Sequence, residues 1–321
     1  MEEIRLSDEL YGDFVISEAV ILDLLKHPAL LRLKGVQQLG LPDIWYPGVK
    51  GFTRYNHSIG VFLLLRKLGA PLAEQVAGLL HDVSHTVFSH VIDRIYKTND
   101  SYQDMIHEQY LLLSGLAPVL ASHGFDYKEI ARYSSFPLLE QESPDICADR
   151  VDYTLRELLQ NNKEEIALRC VPELASFSRK MVFKDKETVQ LFAHNYLERS
   201  MNVWTNPYNA QLYALLAEAL SIALRSRIIS KKDLFSTDQA VIQKLRAAER
   251  EDIQRLIARL DVGDVLDGFS SDMAQAKFRY VDPQFLDGLQ LKRLSYVDPA
   301  FATLLEDCRD RFQKAYMLRT R

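Results

Sequence analysis

The chain has 321 residues, 47% of them hydrophobic and 26% charged, and a formal net charge of −5. That is the composition of an ordinary globular protein, long enough for one large core or two modest domains. The acidity argues against a general nucleic-acid coat but is compatible with a local basic pocket for a small phosphorylated ligand, and apolar runs such as VFLLL fall far short of the roughly 18 residues a membrane span needs.

The start MEEIRLSDELYG is acidic and mixed and has no secretory pattern. Cys147, Cys170 and Cys308 are scattered, without CxxC spacing, and read as reduced thiols. Together these lead to the expectation of a cytoplasmic protein with no membrane partner.

Residues 1–17 read as a strand-like entry turning at Tyr11-Gly12. Residues 18–40 read as helical, with Ser17 as N-cap and a break at Pro28. The Pro- and Gly-rich stretch 41–51 reads as loop. Helices are expected at about 55–68, from Pro71 to about Asp82, at 86–97, 102–122 and 126–133, and from Pro144 to Gln160. Residues 171–184 have some alternation and suit a short hairpin. Long helix returns over 186–229, interrupted at Asn206-Pro207, and again over 237–260. In the tail, KFRYVD (277–282) and LKRLSYVD (291–298) alternate and read as two strands before a last helix at 299–317. Lys277 and Arg279 would then lie on one polar strand face. The expected architecture is a mainly α-helical body, residues 1–170, with a helical extension and a small C-terminal strand-containing appendage, residues 171–321.

Four of the eight histidines, His57, His81, His85 and His90, fall between Arg54 and Asp93. His81-Asp82 closes an apolar helical run. Adjacent helical residues point about 100° apart, so both reach one ion only at a helix end. Imidazole plus a hard carboxylate suits one divalent metal among Mn, Fe, Ni, Zn and Mg. A further carboxylate from a distant helix is needed, and CADRVDY offers Asp149 and Asp152. The His81-x3-His85 spacing also fits a zinc-protease helix, but that chemistry wants Glu where Asp82 stands.

LLRLKGVQQLG, YPG, RYNHSIGV, AGLLHDVSHTVFSH and ADRVDY together resemble the HD-domain phosphohydrolases, in particular their deoxynucleoside-triphosphate triphosphohydrolase branch. The resemblance runs from about Leu10 to Gln160. It implies an all-α core holding one metal through His57, His81, Asp82 and Asp149. It places His85 beside the scissile ester, with Asp93, His90, His107 and Glu108 around it. Gln38 and Arg54 would contact sugar and phosphates, Arg150 stands where the family usually has lysine, and Tyr153 would face the sugar. Ser84 replaces the usual glycine of the turn, and residues 194–209 carry Arg199 in place of a cluster of basic residues.

A metal with Arg54 and Arg150 would offset phosphate charge. A histidine can move the proton, its tautomer held by Asp93 or Glu108. The implied activity is hydrolysis of a deoxynucleoside triphosphate to nucleoside and triphosphate. Hydrolysis of another nucleotide or phosphate ester is the second reading, and a non-catalytic nucleotide-sensing module the third. A small-molecule nucleotide is the implied partner, nucleic acid is not, and the family's habit of assembly implies a homo-oligomer.

Overall fold

The computed structural model describes residues 2–46, 51–96, 101–265 and 278–317. Residues 47–50 of the expected loop, Lys97 at the end of an expected helix, and Lys277 lie outside them.

An antiparallel hairpin opens the chain, β1 (Ile4–Asp8) with β2 (Gly12–Ile16). Asp8 accepts from the backbone N–H groups of Leu10 and Tyr11 and so fixes the turn. Helices α1 (Ala19–Lys26) and α2 (Pro28–Leu31) follow, broken where Pro28 removes a donor. A 3-10 turn, Arg32–Gly35, ends the helical stretch short of residue 40. Gln37 bridges Thr53, which lays residues 36–38 against the start of α3 (Arg54–Lys67).

Thr53 and Asn56 form a capping box at that start. Val61 to Leu65 are all fully buried, so α3 is a core helix with no solvent face there. Helix α4 (Leu72–Leu80) packs on it. Then come α5 (Val91–Tyr96), α6 (Tyr102–Leu113), α7 (Leu116–Ser122), α8 (Tyr127–Ile130), α9 (Ala148–Gln160) and α10 (Glu164–Cys170). Strands β3 (Leu174–Phe177) and β4 (Lys180–Phe183) form the hairpin expected at 171–184. Helix α11 (Lys186–Arg199) ends in a π turn, Ser200–Trp204, and α12 (Pro207–Arg225), α13 (Asp238–Arg246) and α14 (Glu251–Val262) complete the helical set.

The tail departs from its alternating pattern. Residues 278–283 form no strand; the strands are β5 (Gln284–Asp287) and β6 (Gln290–Arg293), followed by α15 (Leu294–Val297) and α16 (Pro299–Met317). The cause is where the hydrogen bonds go. Asp282 gives its backbone N–H to Pro144, and its carboxylate takes the N–H and hydroxyl of Ser295. Asp298 accepts from the Phe301 N–H and starts α16 with Pro299 in its first turn. The two Asp-Pro steps are therefore anchors, not strand ends. β5 pairs parallel to β4, giving one four-stranded sheet in the order β3-β4-β5-β6.

Two apolar clusters fill the body. The larger gathers residues from Leu10 to Leu305, so segments on both sides of residue 170 share it. The smaller joins Val87, Phe88, Val91 and Ile92 to α12, α13 and α14. The turn after α4 passes from one cluster to the other. Asp238 clamps that crossing by accepting the N–H groups of both Gln37 and Phe88.

Candidate metal centre

Three helices supply the cluster. His57 lies in the first turn of α3, Asp149 in the first turn of α9, and α4 stops at Leu80 so that His81 and Asp82 leave its end together. The stop is what lets two adjacent side chains address one point.

One ligand atom each from His57, His81 and Asp149 falls within 4.8 Å of the others. His57 Nε2 is 2.9 Å from Asp149 Oδ1 and 3.2 Å from His81 Nε2. His57 Nδ1 faces Asp152 Oδ2 at 2.7 Å, and His81 Nδ1 faces the Gly78 carbonyl at 2.7 Å. Each ring thus has its Nδ1–H donated to an acceptor behind it and its Nε2 lone pair turned inward. Two inward lone pairs 3.2 Å apart beside a carboxylate require a cation between them. The donor set, two nitrogens and an oxygen, fits one divalent metal. Without a metal a proton takes that place: burial lowers His57, but Asp149 and Asp152 outweigh it and raise its pKa to about 9.

Asp82 lies beside the triple, 3.5 Å from His81 Nε2 and 3.9 Å from His57 Nε2. Its other partners orient it. Arg54 Nη1 donates to Oδ2 at 2.7 Å, and His85 Nε2 is 3.3 Å from Oδ1. Burial pushes the Asp82 carboxyl up, but Arg54, His81 and His85 together hold it well below the usual range. Arg54 also donates from Nε to Ser89 Oγ and from Nη2 to the Gln38 carbonyl. Arg54 thus fixes the Asp82 carboxylate beside the triple. The Gln38 side chain is buried, and its Oε1 has no partner among the described residues.

His85 is buried between Asp82 and His90, its ring centroid 5.3 Å from that of His90. Burial and the Arg54 charge lower its pKa to about 3, so the ring is neutral. His90 is half-exposed; its Nδ1 lies 3.0 Å from Asp93 Oδ2. Asp93 Oδ1 accepts the Tyr102 N–H and so ties this pair to the start of α6.

His107 and Glu108 do not join the cluster. His107 is buried with Nδ1 2.8 Å from Ser84 Oγ, and Gln103 one turn earlier donates to the His81 carbonyl at 2.8 Å. Both brace the turn from behind. This is also what Ser84 does where glycine was expected: its hydroxyl anchors α6. Glu108 is exposed on α6. Asp104, one turn earlier on the same helix face, is exposed too. Desolvation raises its carboxyl, His90 opposes that rise, and Asp82, Asp149 and Asp93 add to it.

Arg150 is likewise committed. It donates to the Gln141 and Asp145 carbonyls and pairs with Glu140 Oε1 at 3.0 Å, holding the loop before α9. Tyr153 exchanges a 2.7 Å hydrogen bond with the Tyr196 hydroxyl, and Trp204 stands edge-on to both rings. Beneath them Glu157 accepts from Arg199 Nε at 2.8 Å and Trp204 Nε1 at 2.9 Å.

Sequence reasoning left Asp152 as an alternative ligand. The structure puts it behind His57, where Arg156 Nε holds both its oxygens at 3.0 Å and Asp8 in turn pairs with Arg156 at 2.7 Å. Gly60 makes room: a Cβ there would meet Asp152 Oδ1 at 2.0 Å and Arg156 Nη2 at 2.1 Å. The Asp152–Arg156 spacing of four on α9 was the signal available for this pair.

A mainly helical body with two imidazoles and a carboxylate converging from three helices defines a metal-binding hydrolase core. The family described as HD domain matches residues 54–157. The uncharacterized protein YdhJ of Bacillus subtilis (strain 168) is 37% identical over 300 residues, covering 90% of each chain. The metal-dependent phosphohydrolase cns2 of the fungus Cordyceps militaris is 33% identical over 293 residues, covering 87% of this chain and 84% of that one. Human deoxynucleoside triphosphate triphosphohydrolase SAMHD1 is 26% identical over 143 residues, 37% of this chain and 22% of that one. The chain belongs to the HD-domain metal-dependent phosphohydrolases. No helix among the described residues is long and apolar enough to cross a membrane.

Proposed function

We propose that this phosphohydrolase acts on a nucleotide bearing a single phosphate ester, with Asp82 completing the ligand set of His57, His81 and Asp149. A divalent cation held there would polarise the phosphate and favour ionisation of the attacking water. The chain's own groups divide the remaining work. Asp152 and the Gly78 carbonyl hold the two imidazoles in their ligating tautomers. Arg54 and His85 orient Asp82. Asp93 accepts a hydrogen bond from His90 Nδ1–H, which keeps that proton on the ring and leaves Nε2 as the atom that passes a proton to the leaving oxygen, a role suited to a half-exposed imidazole. The Tyr153 and Trp204 rings offer apolar edges to a base or sugar, and the unpartnered Gln38 Oε1 accepts a sugar hydroxyl.

The observation that carries this reading is the commitment of the expected phosphate contacts. Arg54, Arg150 and Arg199 are each bonded to a protein carboxylate. A triphosphate tail needs several cations to offset its charge. A deoxynucleoside triphosphate is the second reading, supported by the similarity to SAMHD1. Chelator-stripped protein, restored with Mn, Fe, Ni, Zn or Mg in turn and given nucleoside mono- and triphosphates, separates them by product. Inorganic phosphate from monophosphates is the expected result. Intact triphosphate with nucleoside would establish the second reading, and no product with any metal would contradict both.

A further inference from the structure

We propose that Arg279, delivered by the C-terminal segment, is the residue that binds the substrate phosphate in this site. The inference rests on the phosphohydrolase reading above and adds a specificity-determining residue to it.

The backbone places this residue. Ser143 Oγ donates to the Tyr280 carbonyl at 2.9 Å, and the Asp282 N–H donates to the Pro144 carbonyl at 2.9 Å. Asp145 is held in turn by Arg293 at 2.6 Å and Lys180 at 3.1 Å. Residues 278–282 are thereby fastened to the loop that leads straight into α9, the helix of Asp149 and Tyr153. Side chains alternate along such an extended segment. Phe278 and Tyr280 stack at 5.5 Å, against Phe312 and Arg309 of α16. Arg279 points the other way, where its guanidinium faces the Tyr153 and Tyr196 hydroxyls and the Asp149 carboxylate. The residue is itself solvent-exposed.

Charge accounting singles it out. Arg54 is spent on Asp82, Arg150 on Glu140, Arg156 on Asp152 and Asp8, and Arg199 on Glu157. Arg279 makes no ion pair with the described residues. The two tyrosine hydroxyls share one hydrogen bond, so one O–H proton stays uncommitted. A guanidinium with five donors beside a spare hydroxyl proton, next to a metal cluster, has donors left over for an anionic ligand. Two oxygens of a phosphate group match the guanidinium fork and meet an arginine in two parallel bonds. Sequence alone read Arg279 as one face of a polar strand, because nothing local shows that residues 143–144 hold its backbone.

The test compares full-length wild-type protein with Arg279→Ala and Arg279→Lys, all loaded with the same metal. Binding of inorganic phosphate is measured by titration calorimetry, metal content by elemental analysis, and KM and kcat on a nucleoside monophosphate. The expected result is about ten- to a hundredfold weaker phosphate binding in Arg279→Ala, partial rescue in Arg279→Lys, unchanged metal content, and a rise in KM larger than the fall in kcat. Wild-type turnover with unchanged phosphate binding and KM in Arg279→Ala would overturn the inference alone. Metal-loaded wild-type protein that neither binds phosphate nor turns over would overturn it together with the phosphohydrolase reading.

Discussion

The Nδ1 atom of His57 stands 2.7 Å from Asp152 Oδ2, while the Nε2 atom of the same ring stands 2.9 Å from Asp149 Oδ1. Two carboxylates one helical turn apart on α9 thus grip opposite edges of one imidazole. The fully buried Asp152 fixes which nitrogen is protonated, and Asp149 faces the cluster.

Asp152→Asn keeps the shape but weakens the hold on that tautomer. We expect metal affinity to fall about 10- to 100-fold, measured by competition with a chelating dye. Asp152→Ala goes further. It leaves the buried Arg156 with Asp8 as its remaining partner, and such a broken pair costs about 3–5 kcal/mol, read from chemical unfolding.

Gly60→Ala tests the same pair from the other side. The added Cβ collides with both Asp152 Oδ1 and Arg156 Nη2. Overpacking of this kind costs about 1–3 kcal/mol. The account expects metal affinity to fall along with stability, whereas an alanine at an indifferent helical position would stabilise α3 slightly.

The pH dependence of the metal-free protein follows from His57. Its pKa rises from 6.5 to about 9 in the fold, because Asp149 and Asp152 outweigh burial. A raised histidine contributes stability that is fully present below the unfolded value of 6.5 and is lost as pH rises through about 9. Chelated protein should therefore melt at a lower temperature at about pH 9.5 than at about pH 6.5. Metal affinity should move the opposite way, rising with pH over that window, since the ion displaces the proton. A flat melting profile for chelated protein would contradict the ion-paired state of His57.

His90 and Glu108 are separated by kinetics. His90→Gln, or Asp93→Asn, should lower kcat about 10²- to 10⁴-fold with metal content unchanged. Glu108→Ala, on an exposed face of α6, should leave kcat unaltered and shift stability by no more than about 0.5 kcal/mol. The same assay run on both variants decides the point.

Much of this was legible in the chain. The Tyr11-Gly12 turn, the break at Pro28 and the hairpin at 171–184 follow from local chemistry that tertiary packing did not override. His81-Asp82 at a helix end announced a shared focus. Asp149 and Asp152 were harder: residues three apart lie on one helix face, so spacing cannot say which carboxylate looks inward and which braces from behind. Only the depth of Asp152 beneath α3, opened by Gly60, settles it. The tail strands shifted because Asp282 and Asp298 spend their hydrogen bonds on distant partners. The carboxylates that Arg54 and Arg150 bond, Asp82 and Glu140, come from other segments, and no local spacing shows those pairs.

The central claim is that His57, His81 and Asp149 hold one divalent ion. Elemental analysis of purified wild-type protein and of Asp149→Ala, each brought to equilibrium with the same metal buffer and confirmed folded by circular dichroism, tests it most directly. The account expects one ion per wild-type chain and a large loss in the variant. Equal metal content in both proteins would contradict it.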